Sequence, residues 1–236
     1  MAKFAVYYIP PEDSLLYQRG SEILGYDVRA GVFLPEANPT RAALPEFDPA
    51  WIALPQTYGF HVTTGYSLYY DPATLPQIEA EIEGVLSCFG REVGFTLTPH
   101  PTERIPFWNG DIVVLHYQPD PNLLMLHAML TARVNPYGTG SNIAERYASM
   151  DPATLDPVLA ARVRQYCTPY MLDGWEPHFT LMMPYTGSQP DTLRAALAGL
   201  FPPEPVPVRS ICLLVRADGE THYRLHREFV IADYPA

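Results

Sequence analysis

Two stretches decide the fold: Tyr58-Gly-Phe-His-Val-Thr-Thr-Gly-Tyr66 and Glu176-Pro-His-Phe-Thr-Leu-Met-Met-Pro-Tyr185. Both are rich in aromatic or β-branched residues, and each reads as a strand. A helix follows each one. The first is predicted over 75–89, with Leu75, Ile78, Ile82, Val85, Leu86 and Phe89 on one face. Thr74 and Gln77 have the spacing of a capping box, Pro76 suits a first turn and Gly90 a stop. The second is predicted over 191–201, with Leu193, Ala196, Leu197, Leu200 and Phe201 facing inward. Both stretches run His, any residue, Thr, a mostly apolar strand end, a turn with Asp and Pro, then Thr-Leu opening the helix. His61 to Leu75 is 14 positions and His178 to Leu193 is 15. Strand-like sequence follows each helix, over 93–98 and 208–215. The chain reads as one unit used twice, with repeat halves around 58–118 and 175–231, inside a single bilobal domain spanning 1–236.

Outside these units, Phe4–Ile9 reads as a strand closed by Pro10-Pro11, followed by a helix over 12–24. Residues 31–57 are rich in Pro and Ala with no sustained period, a length of loop that often serves as a lid or wall. Further strands are predicted over 111–116 and 223–231, and helices over 121–134 and 155–167. Such material gives an α+β class with mostly antiparallel sheet and helices packed outside.

The chain has 236 residues, with 26 acidic and 15 basic side chains and a formal charge of −11. A hydrophobic share of 47% excludes an intrinsically disordered chain. The 26 prolines are about twice the usual ~5% share and lack a period, which argues for rigid turns and against collagen. The acidic balance speaks against long nucleic acid held by phosphate neutralisation, though a local pocket for one phosphate survives that argument. No stretch reaches the roughly 18 apolar residues of a membrane span, and no signal peptide is expected at the N-terminus. Cys88, Cys167 and Cys212 are widely spaced, so neither a disulfide framework nor a zinc site is expected and a cytoplasmic setting is the default.

Side chains alternate across a strand, so His61 and Thr63 project to one face, as do His178 and Thr180. Val62 and Phe179 then point into a core. If the two units pack about a pseudo-twofold axis, two imidazoles and two hydroxyls face one cleft. Histidine ionises near neutral pH, so one neutral ring can take a proton from water while a protonated one supplies a leaving alkoxide. The threonine hydroxyls can donate to phosphodiester oxygens as charge builds. That chemistry requires no metal and no cofactor.

His61-Val-Thr63 and His178-Phe-Thr180, half a chain apart and each ahead of a helix, resemble the paired HxT motifs of the 2H phosphoesterase superfamily. The context from Thr168 to Leu181 is similar to the branch of putative phosphonate-metabolism proteins. The resemblance implies a bilobal fold with two pseudo-symmetric lobes and a central cleft. It implies metal-free hydrolysis of a small phosphodiester, typically a 2′,3′-cyclic phosphate of a nucleotide, RNA end or sugar. His61 and His178 are then acid and base, in an order the sequence leaves open, and Thr63 and Thr180 hold the phosphate. Thr64-Gly65-Tyr66 departs from the usual hydrophobic–proline continuation of the first motif.

Tyr58, Tyr66, Trp175 and Tyr185 flank the motifs, either as stacking platforms or as cleft-wall packing. Phe107–Gly110 reads as a turn with an aromatic plug. Arg224, sharing a strand face with His222 and His226, is a candidate phosphate contact or a solvated group. His100, His116 and His127 show no partner pattern, and Glu79, Glu81 and Glu83 read as solvated helix positions. The expected partner is a small phosphorylated substrate. The rival reading is a non-catalytic module of the same fold that binds a phosphorylated ligand or a protein; a metal-dependent phosphodiesterase is a further alternative.

Overall fold

The computed structural model describes residues 1–90 and 93–231; residues 232–236 of the expected domain lie outside the described residues. In chain order the elements begin with β1 (Lys3–Tyr8), α1 (Leu15–Leu24), β2 (Tyr26–Asp27), β3 (Val32–Phe33), α2 (Pro39–Ala42), β4 (Val62–Tyr69) and α3 (Leu75–Leu86). They continue with β5 (Thr96–Pro99), β6 (Phe107–Trp108), β7 (Ile112–Pro119), α4 (Pro121–Val134), α5 (Asn142–Ala148) and α6 (Pro157–Tyr166). The last are β8 (His178–Met182), α7 (Pro190–Leu200), β9 (Val206–Pro207), β10 (Ser210–Arg216) and β11 (Arg224–Val230).

The class is α+β, and every strand pairing among the described residues is antiparallel. One large sheet runs β11-β10-β1-β4-β8-β7-β5-β9, with β6 beside β7. The two motif strands, β4 and β8, are its central neighbours and meet at a single pair, Val62 opposite Phe179. Strands that follow each helix cross this seam, apart from the short β9, which pairs with β5 on the side of β8. After β4 and α3, β5 and β7 join the side of β8; after β8 and α7, β10 and β11 join the side of β4. The two sequence units are thereby interleaved.

Val62 and Phe179 anchor the core on one face of the sheet. Phe60 stacks on Phe179 with centroids 4.4 Å apart, and Phe201, just after α7, stacks on Phe60 at 6.3 Å. Helix α1 packs against β8, α4 against β4, and α3 against α4. On α3, Ile78, Ile82, Val85 and Leu86 are buried, each contributing roughly 1.5–3 kcal/mol. No helix among the described residues is long and apolar enough to cross a membrane.

Several local expectations need correction. The first motif strand starts at Val62, because Pro55–Thr57 forms a 3₁₀ turn and Gly59 adopts φ +70°. Thr74 does not cap α3: it has helical backbone angles, and its hydroxyl donates to the Asp71 carbonyl. Asp71 instead caps the 3₁₀ turn Pro72–Thr74 that leads into the helix. Glu79 and Glu83 are bridged by Arg227, Glu79 also meets His226, and Glu81 pairs with Arg133. These carboxylates tie α3 to β11 and α4 rather than standing free in solvent. The 31–57 segment is pinned on both sides of the seam. Met183 N–H donates to the Trp51 carbonyl, and Tyr223 N–H donates to the Thr57 carbonyl.

Candidate active site

Antiparallel pairing of Val62 with Phe179 sets what lies on the opposite face. One step along the register puts Thr63 opposite His178 and His61 opposite Thr180. The two imidazole–hydroxyl pairs therefore form a crossed square, with the histidines on a diagonal. Diagonal neighbours have Cα atoms roughly 7–8 Å apart, within reach of long side chains across a shared anion. Neighbouring strands extend the row. Tyr7 of β1 is opposite Thr63, and His116 of β7 is opposite His178. Tyr7, Thr63, His178 and His116 thus line one face across four strands.

Both histidines are held in the same way. The Nδ1–H of His61 donates to the Gly59 carbonyl at 2.9 Å, and that of His178 donates to the Glu176 carbonyl at 2.7 Å. A carbonyl only accepts, so each ring carries its proton on Nδ1 and presents Nε2 as a proton acceptor. Gly59 permits this on the first side. Its φ of +70° belongs to glycine, and a Cβ there would meet Val28 at 2.5 Å. The Thr63 hydroxyl lies 3.3 Å from His61 Nε2.

The surroundings differ. His61 stacks on Tyr7 at 3.6 Å, meets Tyr58 edge-on at 5.1 Å and keeps 6% of its surface exposed. His178, Thr63 and Thr180 are half-buried, and the ring of Trp108 meets His178 at 4.6 Å and 76°. His61 is the more covered ring, with Tyr7 on its face and Tyr58 at its edge. Burial pushes the His61 imidazole down to about 3 and the His178 imidazole down to about 4, and each has a further histidine nearby that opposes protonation. Both rings are neutral at neutral pH in the free protein. Tyr58 is hydrogen-bonded with Thr180, the hydroxyl of the other motif, and burial keeps its phenol protonated.

Of the other residues singled out in the sequence, Tyr66 stands nearest this face. It is in the electrostatic neighbourhood of Tyr7, stacks with Tyr170 at 6.1 Å and is hydrogen-bonded with Thr168. Trp175 is buried, its Nε1–H donates to the Thr63 carbonyl at 2.9 Å, and its ring lies flat on His127 at 4.2 Å. Tyr185 is buried against Trp51 and Phe107 and donates to Glu46 at 2.7 Å. Arg224 is exposed on β11, three strands from β4 and beside Gly31. The fold brings neither Tyr185 nor Arg224 to the histidine pair.

Tyr7 and His116 are the residues that sequence reading missed. His100 stacks on His116 at 4.4 Å, and Trp108 meets the His116 edge at 5.2 Å. Strand pairing brings them in, and that has no signal in one sequence. Only the aromatic turn at Trp108 was visible. Among the described residues, no group of three or more His, Cys, Asp or Glu side chains is gathered to hold a metal ion.

No family model matches the chain. No curated protein matches it. Among solved structures it is similar to LigT of E. coli complexed with NADP+, at 14% identity and TM-score 0.45 over 98% of each chain. It is similar to a phosphoesterase at 15% identity and TM-score 0.47 over 97% of each chain. It is also similar to TT0787 of Thermus thermophilus, at 14% identity and TM-score 0.43 over 98% of each chain.

Proposed function

We propose that this protein is a metal-independent phosphoesterase that hydrolyses a small phosphodiester, a 2′,3′-cyclic phosphate of a nucleotide, RNA end or sugar. The observation that carries the reading is the Val62–Phe179 register, with His61 and His178 on a diagonal and a threonine beside each. In the reaction, water attacks phosphorus as a neutral imidazole Nε2 removes its proton. The P–O bond to the ribose oxygen breaks, and the second imidazole, protonated, delivers a proton to that oxygen. One proton is taken and one given, so the pair ends with its roles exchanged and resets through solvent. Each transfer contributes on the order of 10²–10⁴-fold.

Thr63 and Thr180 donate to the non-bridging oxygens, where charge builds in the transition state. Both histidines ionise far below 6.5 in the free protein, so the acid needs help to hold its proton. The negative charge of the bound diester supplies it, since an anion a few ångströms away favours imidazolium. Tyr66 and Trp108 are assigned to the remainder of the substrate. Trp175, Tyr185 and Arg224 are assigned no substrate contact.

The test is turnover of 2′,3′-cyclic nucleotides in EDTA. Activity that survives chelation and is lost in His61→Ala and in His178→Ala supports the reading. Loss of activity in EDTA indicates a metal-dependent enzyme. Tight phosphate binding without turnover indicates a binding module.

A further inference from the structure

His127, on α4, is fully buried although it has no place in the proposed chemistry. Its Nδ1–H donates to the Thr64 carbonyl at 2.9 Å. The adjacent carbonyl, that of Thr63, accepts from Trp175 Nε1–H, also at 2.9 Å. The two donor rings lie flat on each other, 4.2 Å apart and 6° from parallel. Two consecutive carbonyls of the first motif strand are thus held by one stacked pair. The partners come from different places: His127 from α4, and Trp175 from the segment that leads into the second motif three residues later.

An apolar ring would fill the same space without desolvating two nitrogens. His127 Nε2 has no hydrogen-bond partner among the described residues, and an unmatched polar atom in a sealed interior is unfavourable. The imidazole limits that penalty by staying neutral, with its proton on Nδ1 and a bare lone pair on Nε2. What the nitrogen gains is a directed bond to the strand whose neighbouring residue carries the Thr63 hydroxyl.

We propose that His127 is a positioning residue. Through its bond to the Thr64 carbonyl and its stack on Trp175, it fixes the Thr63 hydroxyl relative to the second motif. The inference rests on the reading of Thr63 as a phosphate donor. Small displacements of such groups lower rates strongly, because the transition state is held by fixed donors rather than mobile ones.

The experiment compares wild type, His127→Phe and His127→Asn. Phenylalanine keeps the stack and loses the donor; asparagine keeps a donor near the Nδ1 position and loses the ring. All three are measured well below their melting temperatures, with 2′,3′-cyclic AMP as substrate and inorganic phosphate as a calorimetric ligand. His127→Phe is expected to lower kcat/KM on the order of tenfold to a hundredfold and to weaken phosphate. His127→Asn is expected to recover most of both. Unchanged kcat/KM and phosphate affinity in a folded His127→Phe protein overturns the inference, as does an equal loss in both variants. If wild type binds phosphate but does not turn over the nucleotide, the hydrolase reading fails and phosphate affinity alone decides this one. If wild type neither turns over nor binds phosphate, both fall.

Discussion

Val62 of β4 lies directly opposite Phe179 of β8, and this pair joins the two halves of the sheet. Both side chains are buried in one core, which fixes the register, since a slip by one residue would send both to the other face. The same lock places two imidazoles and two hydroxyls on the face away from that core. The packing that stabilises the seam is therefore also what assembles the site.

His61→Ala and His178→Ala are each expected to lower kcat on the order of 10²–10⁴-fold with little change in KM. The double variant should lose little more than the worse single one, because groups that act as a unit are not additive. Steady-state kinetics on a cyclic nucleotide measures both. Full multiplicative losses would show that the rings act independently.

Thr63→Val and Thr180→Val should each cost about 10²-fold in kcat, the usual loss for one transition-state donor. Their stabilities should differ. Thr180 is hydrogen-bonded with the half-buried Tyr58, so its replacement removes that bond and destabilises by about 0.5–1.5 kcal/mol. Chemical denaturation of both variants checks the contrast.

The pH profile follows from the two depressed histidines. In the free protein the base loses its proton near 3 or 4, and the acid keeps its proton only below the same range. The profile of kcat/KM should be bell-shaped, with its maximum below pH 6.5. The kcat profile, set by the substrate complex, should lie at higher pH because the bound anion favours imidazolium. A kcat/KM maximum above pH 8 contradicts this.

Acid stability gives an independent check. His61 and His127 ionise near 3 and near 4 when folded and near 6.5 when unfolded. Between pH 6.5 and about 4 the unfolded chain binds more protons, so stability falls as pH falls. Each of these buried rings contributes a slope of about 1.4 kcal/mol per pH unit in that window. His127→Asn should reduce the slope by one such contribution, as read from denaturation midpoints at pH 6.5, 5.5 and 4.5.

Helix α4 is legible to its ends in sequence: the span read as 121–134 is the span it occupies, with an N-cap bond from Leu123 N–H to Asp120 that the structure adds. The motif strands are legible from their alternation, and the HxT spacing alone puts each His and Thr on one face. What escapes is whatever depends on partner strands. Tyr7 is more than fifty residues from His61, and only the β1–β4 ladder brings it beneath the ring. His116 is invisible for the same reason. Trp175 shows that an aromatic beside a motif is ambiguous: it stacks, but on a buried histidine. Thr74 misleads because the turn before it gives it helical angles, which a capping residue does not have.

The central claim is that both motif imidazoles meet one phosphate. The most direct measurement is a ¹⁵N NMR titration of the histidine side chains with a 2′-nucleotide and with a 3′-nucleotide, the two products that opening a 2′,3′-cyclic phosphate can give. The His61 and His178 Nε2 signals should move together with a single dissociation constant, and both should move toward imidazolium. A titration in which only one of them responds, or neither does, would contradict the account.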